Sequence, residues 1–413
     1  MSARGKALLL IGDGLGDRPC PELAGLTPVE AAKTPNLDRL AAAGECGLID
    51  PIAPGIPPGS DTAHLAYLGY DPHTRYPGRG PFEAMGIGME VRPGDIAFRC
   101  NFATIDGSGV IVDRRAGRIR EGTADLAAAL NGITVDGVQC FLRESVEHRA
   151  ALVLGGEKLG DRVTDADPHA DGQPLLQATG DDANSKRTAA AINAFVARSR
   201  EVLADHPVNR ARAERGDPVA NIVLPRGAGC APNLQSFQAT SGLTGALVVE
   251  VALVKGIGRY IGMTVVDVPG ALGNLQTDEI ALAKAAVAAL DGHDFVLCNL
   301  KCPDVAGHDG DPEAKVAACE KLDRMAALIL DSAAARNDRL YFAVTGDHTT
   351  ACATRDHTGE PVPVAIWGPD VRADQVTAFG ERACAVGGLG RVRGLDLLPI
   401  LTSYIGAARK FGA

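Results

Sequence analysis

Six short runs of the chain are apolar at nearly every position: 7–11, 246–254, 264–268, 295–300, 340–344 and 362–367. A strand with one face in water alternates polar and apolar residues; a strand apolar throughout must be buried on both faces. Alanine-rich stretches with helical composition, 277–290 and 313–335, lie among these runs. Strands alternating with helices predict an α/β fold whose mainly parallel central sheet is flanked by helices.

At 413 residues the chain exceeds what one hydrophobic core ordinarily fills. Residues 76–240 differ in texture. They carry many charges, shorter strand-like runs at 96–105 and 151–154, and one helical stretch near 186–204. The expected organisation is a discontinuous core domain, 1–75 with 241–413, and a smaller α+β domain inserted at 76–240.

Acidic residues outnumber Lys and Arg by 51 to 41, a formal charge of −10, and only 4% of residues are aromatic. This argues against a general nucleic-acid binder and against an anionic-membrane surface. No apolar run approaches the length of a membrane-spanning helix, and 7–11 is too short for a signal-peptide core. The ten cysteines form no Cys-x-x-Cys pair. They read as free thiols of a reducing cytoplasm.

The chemistry-bearing residues collect at strand exits. Asp13 follows the first run, Asp304 and His308 follow 295–300, Asp347 and His348 follow 340–344, and His357 comes shortly after. Ligands of open α/β sheets bind beyond the carboxyl ends of the strands, so these distant segments would converge. Asp304 and His308 are spaced to share one helix face. Three aspartates and three histidines suffice for two ions. Carboxylate with imidazole suits Mn²⁺, Zn²⁺ or Co²⁺, with Mg²⁺ less favoured, although ligand types alone do not separate the four.

Gly59-Ser60-Asp61-Thr62-Ala63-His64 follows a Pro-rich turn and predicts a helix over 62–68 that stops at Gly69. Taken alone, Ser60 reads as an ordinary N-cap. Beside a two-metal cluster it reads as a metal-activated nucleophile for phosphorus. Gly12-Asp13-Gly14-Leu15-Gly16 and Gly256-Ile257-Gly258 both lack the full dinucleotide fingerprint, and no phosphate-binding P-loop motif occurs. No organic cofactor is therefore expected.

With these residues in place, the chain resembles the cofactor-independent phosphoglycerate mutases of the archaeal type, in the alkaline phosphatase superfamily. The matching stretches are 11–14, 59–65 with 68–72, 99–104, 113–118, 303–310, and 346–348 with 357–359. Cys302-Pro303 departs from the pattern by replacing a small residue and a threonine. The resemblance implies an alkaline-phosphatase-like sandwich with an inserted cap. It implies an isomerase interconverting 3-phosphoglycerate and 2-phosphoglycerate through a phosphoserine at Ser60. Asp13, Ser60, Asp347 and His348 would hold one divalent ion, and Asp304, His308 and His357 the other. The cap would grip the glycerate. Arg99, Arg114 and Arg118 fall in matched motifs, and Arg115, Arg149, Lys186, Arg226, His148 and His64 are further candidates. Arginine suits bidentate clamping of carboxylate or phosphate. A metal-dependent phosphatase or phosphonate hydrolase on the same core is the alternative. Assembly as a homo-oligomer is left open.

Overall fold

A computed structural model describes residues 4–231, 233–336, 338–410 and 412. It divides into two compact units, Met1–Tyr76 with Leu234–Ala413, and Pro77–Asn233.

The first unit is built on an eight-stranded sheet. Its order is Thr264–Val265, Gly245–Val248, Phe295–Leu300, Lys6–Gly12, Leu340–Gly346, Val362–Trp367, Glu45–Asp50 and Gly390–Arg393. The first five strands run parallel, and Val362–Trp367 is antiparallel to both of its neighbours. Every residue of Phe295–Leu300 and Leu340–Gly346 is buried. On one face Leu8, Leu10, Val296, Cys298, Phe342 and Val344 join Leu322, Met325 and Ile329 of the Pro312–Ala335 helix in one apolar cluster. The mixed α/β fold expected from the apolar runs is the one found.

One expectation needs correction, and two strands of the sheet carry no signal in the sequence. The run at 246–254 is not one strand: Gly245–Val248 is a strand, and Ala252–Tyr260 is a helix. Leu253, Val254 and Ile257 are buried while Arg259 lies in the last turn, so the second half follows the helical period. The sheet also gains Glu45–Asp50 and Gly390–Arg393, whose polar residues suit positions near the edge.

The second unit holds a seven-stranded sheet. Ile96–Ile105 pairs antiparallel with Arg149–Gly155, Val110–Asp113 and Ile222–Cys230. Phe98, Cys100 and Phe102 pack with Leu152, Leu154 and with Phe195 of the Ala183–Ala204 helix. Side chains alternate along a strand, so Arg99 and Asn101 point to the other face. There Arg99 is in register with Arg226, and Asn101 with Arg149.

Candidate metal centre and arginine cluster

Sheet register builds the first site. Gly12 pairs with both Leu300 and Gly346, so the next residues, Asp13, Lys301 and Asp347, leave three adjacent parallel strands at one level. The Asp13 N–H donates to the Leu300 carbonyl (2.9 Å), and the Gly14 N–H donates to Asp347 Oδ1 (2.9 Å). Gly14 has φ +60°, a left-handed conformation that glycine adopts at no steric cost.

The convergence expected of the Asp and His side chains has a definite geometry. Ligand atoms of Asp13, Asp347 and His348 lie within 4.8 Å of one another, and so do those of Asp304, His308 and His357. Asp304 and His308 share the Cys302–Asp309 helix. The His348 and His357 rings stack at 3.7 Å between centroids, which brings the two triads side by side.

The histidine nitrogens are sorted by their neighbours. A carbonyl only accepts, so His308 Nδ1–H donates to Arg355 O (2.9 Å) and His357 Nδ1–H donates to Pro58 O (2.7 Å). Each ring then turns a bare Nε2 toward Asp304 Oδ1, at 3.4 and 3.5 Å. An imidazole fixed through Nδ1 and open at Nε2 is the usual arrangement of a metal ligand.

Charge also fits a cation. Asp13, Asp304 and Asp347 are buried, and among the described residues Lys301 is the one lysine or arginine paired with them. Its ammonium lies 2.7 Å from both Asp13 Oδ1 and Asp304 Oδ2. Burial opposes the Lys301 charge, but Asp13, Asp304 and Asp347 outweigh it and hold the ammonium protonated. Burial works against the Asp304 carboxylate, yet Lys301 and the histidines hold its pKa well below the usual carboxylate range and keep it ionised. Asp347 goes the other way. Burial and the Asp13 charge push its carboxyl well up, and its Oδ2 is buried with no hydrogen-bond partner. Such an orphaned carboxylate oxygen facing His348 Nε2 at 3.5 Å suits a divalent ion.

Ser60 begins the Ser60–Tyr67 helix, one residue inside its Gly59 N-cap. Its Oγ lies 3.2 Å from His348 Nε2. The helix therefore starts two residues before the expected 62, and Ser60 is its first residue, not its cap.

His64 has a different place from the one expected. It is fully buried, with Nδ1–H donating to Ser60 O (2.6 Å) and Nε2 3.3 Å from the Asn299 amide nitrogen, which also donates to Asp13 Oδ2. No side-chain atom is left for substrate; the residue ties the serine helix to Asp13. Lys301, Asn299 and Thr350 escaped the sequence reading. Lys301 alone carried a signal, a cation at the exit of a wholly buried, mostly apolar strand.

The second unit carries the cationic cluster. Glu83 sits 3.1 Å from Arg79 and 3.7 Å from Arg99. The Arg114 fork grips the fully buried Asp167 at 2.7 and 2.6 Å, and Arg226 approaches the same carboxylate at 3.5 Å. Burial pulls the Arg99 guanidinium down to about 9 against the help of Glu83. His148 is pushed to about 4 by burial and by Arg149, Arg115, Arg99 and Arg118. Arg99 Nε and His148 Nδ1 are buried without hydrogen-bond partners. Lys186 does not join this cluster. It is exposed on the Ala183–Ala204 helix, whose Ser185, Thr188, Ala189 and Ile192 face inward.

Comparison with known proteins gives a consistent family. A family model described as 2,3-bisphosphoglycerate-independent phosphoglycerate mutase matches residues 41–209. A Methanothermobacter thermautotrophicus protein named 2,3-bisphosphoglycerate-independent phosphoglycerate mutase 1 is 50% identical over 414 residues, covering 99% of this chain and 100% of the relative. An Archaeoglobus fulgidus protein of the same name is 48% identical, covering 98% and 99%. Among solved structures, a Pyrococcus horikoshii protein matches with a TM-score of 0.88 at 40% identity, covering 100% of both chains. The cofactor-independent phosphoglycerate mutase of Thermoplasma acidophilum matches with a TM-score of 0.73 at 39% identity, covering 97% of this chain and 100% of that one.

Proposed function

The chain belongs to the 2,3-bisphosphoglycerate-independent phosphoglycerate mutase family, and from that premise we propose how its residues interconvert 3-phosphoglycerate and 2-phosphoglycerate. The enzyme is an isomerase. The observation that carries the proposal is the position of Ser60 Oγ, 3.2 Å from His348 Nε2, where two Asp/His triads meet.

Asp13, Asp347, His348 and Ser60 would hold one divalent cation, and Asp304, His308 and His357 a second. Manganese, zinc, cobalt and magnesium are all compatible with these ligand types. Bound there, the cations supply neutralisation of the nonbridging phosphoryl oxygens and a lower proton affinity for a serine hydroxyl. Ser60 Oγ forms a bond to phosphorus while the bond from phosphorus to the C3 oxygen breaks. The serine gives up one proton and the departing oxygen takes one up, so protons balance. Lys301 keeps Asp13 and Asp304 in place and adds a positive charge near the transferring group.

The glycerate must then turn without leaving. We assign the first unit as the metal-binding core and the second as the substrate-binding cap. Arg99, Arg149, Arg226 and neutral His148 would grip the carboxylate and hydroxyls, with Arg114 braced by Asp167 and Arg118 exposed at the rim. The C2 hydroxyl next attacks the phosphoserine, freeing Ser60 and yielding 2-phosphoglycerate. All ten cysteines are free thiols, and no helix among the described residues is long and apolar enough to cross a membrane. The free thiols suit a cytoplasmic enzyme.

The test is direct. The purified enzyme is given 3-phosphoglycerate and Mn²⁺ without 2,3-bisphosphoglycerate, and 2-phosphoglycerate and free phosphate are followed together. Isomer should form with phosphate a minor product. Phosphate release as the main outcome would instead favour a hydrolase.

A further inference from the structure

Thr350, like Lys301, touches both triads. Its hydroxyl lies 2.7 Å from Asp304 Oδ1 and 3.0 Å from His348 Nδ1. A hydroxyl has one proton. Asp304, as a cation ligand, is a carboxylate and can only accept, so the Thr350 proton goes to Asp304. The Thr350 lone pair then accepts from His348 Nδ1–H. This fixes the remaining histidine as the carbonyls fix His308 and His357, with Nε2 bare on the side of Ser60.

The slot around Thr350 is cut to fit. A Cβ on Gly14 would stand 2.5 Å from the Thr350 hydroxyl, and a Cβ on Gly307 would stand 2.5 Å from its carbonyl oxygen and 2.8 Å from its methyl. Lys315, fully buried, donates to the carbonyls of Thr350 (2.7 Å) and Gly16 (2.8 Å) and so fastens the short strand Thr349–Ala351 to the Asp13 loop. Asp304 is thus gripped on both oxygens, by Thr350 on Oδ1 and by Lys301 on Oδ2.

We propose that Thr350 is a positioning residue that couples the two cation sites, its hydroxyl orienting Asp304 in one and fixing the donor nitrogen of His348 in the other. The inference rests on reading the two triads as metal ligands. Loss of a hydrogen-bond partner behind a metal ligand typically weakens metal binding tenfold to a hundredfold. Here one hydroxyl should produce that loss at two sites.

The experiment titrates Mn²⁺ into chelator-stripped wild type, Thr350→Val and Thr350→Ser by calorimetry, with metal-free melting recorded for each. The wild type should take up two ions. Thr350→Val, which keeps the shape and loses the hydroxyl, should weaken both sites by about tenfold or more. Thr350→Ser, which keeps the hydroxyl, should stay within about threefold of wild type at both sites. A merely structural role would lower metal-free stability and leave the affinities alone. Two unchanged affinities in Thr350→Val would overturn the inference and leave the cation pair standing. Equal weakening in Thr350→Ser would overturn it as well, because the hydroxyl would not be its cause. A wild type that takes up no pair of ions would overturn the underlying metal reading itself.

Discussion

Ser60 Oγ and His348 Nε2 lie 3.2 Å apart, although 288 positions separate the two residues in sequence. One begins a helix and the other follows a buried parallel strand, so the fold alone creates the contact. Replacing Ser60 with alanine removes the phosphoryl acceptor without touching a helix cap. Ser60→Ala should lose mutase turnover by at least about a thousandfold while its melting temperature stays close to wild type and it still takes up two Mn²⁺, the one beside His348 more weakly for want of the serine oxygen. A coupled enolase assay with parallel calorimetry checks both.

Among the described residues, Lys301 is the single ammonium paired within the three buried carboxylates. Lys301→Met strips that compensation, and breaking a buried ion pair on one side costs about 3–5 kcal/mol. The variant should be destabilised by roughly that amount in chelator and by clearly less in saturating Mn²⁺, since the cations replace part of the lost charge. Denaturant melts with and without metal measure the difference.

Arg99 is held between Glu83 and the unpartnered space at its Nε. If the second unit grips the glycerate, Arg99→Ala should raise KM for 3-phosphoglycerate by about thirtyfold or more, with kcat changed less. Asp167→Asn should show a smaller rise in the same direction, because it loosens the Arg114 fork and not a direct contact. Steady-state kinetics in both directions of the reaction separate KM from kcat.

His148 supplies a pH signature. Its value in the folded protein is about 4, below the ordinary 6.5, because burial and four arginines disfavour its charge. Protonation therefore favours the unfolded chain. This residue's contribution to stability should be constant above about 6.5, fall as pH drops from 6.5 toward 4, and level off below 4. Nuclear magnetic resonance titration should place the His148 midpoint near 4 and move it upward when 3-phosphoglycerate neutralises the arginines. A midpoint at the ordinary value would contradict the cluster described for the second unit.

The sequence reveals chemistry better than it reveals contact. The runs at 295–300 and 362–367 coincide with strands because apolar residues at nearly every position leave one reading. The run at 246–254 does not, since its apolar residues satisfy both the strand and the helix period over so short a span. Glu45–Asp50 and Gly390–Arg393 carry too many polar residues to be recognised before their partners are known. Asp304 and His308 could be paired by spacing alone, but Lys301, Asn299, Thr350 and Asp167 carry no motif. Their roles come from strand register and from the loops that follow it. His64 and Lys186 show the converse: each is a plausible binding side chain by type, and helix geometry turns one inward and the other to solvent.

The central claim is that the phosphoryl group rests on Ser60 between two transfers. Enzyme mixed with phosphorus-labelled 3-phosphoglycerate and Mn²⁺, quenched in acid within one turnover and mapped by mass spectrometry, tests it most directly. The account predicts label on the peptide bearing Ser60 and none in Ser60→Ala. Label on another residue, or a wild type that forms 2-phosphoglycerate with no labelled serine at any quench time, would contradict it.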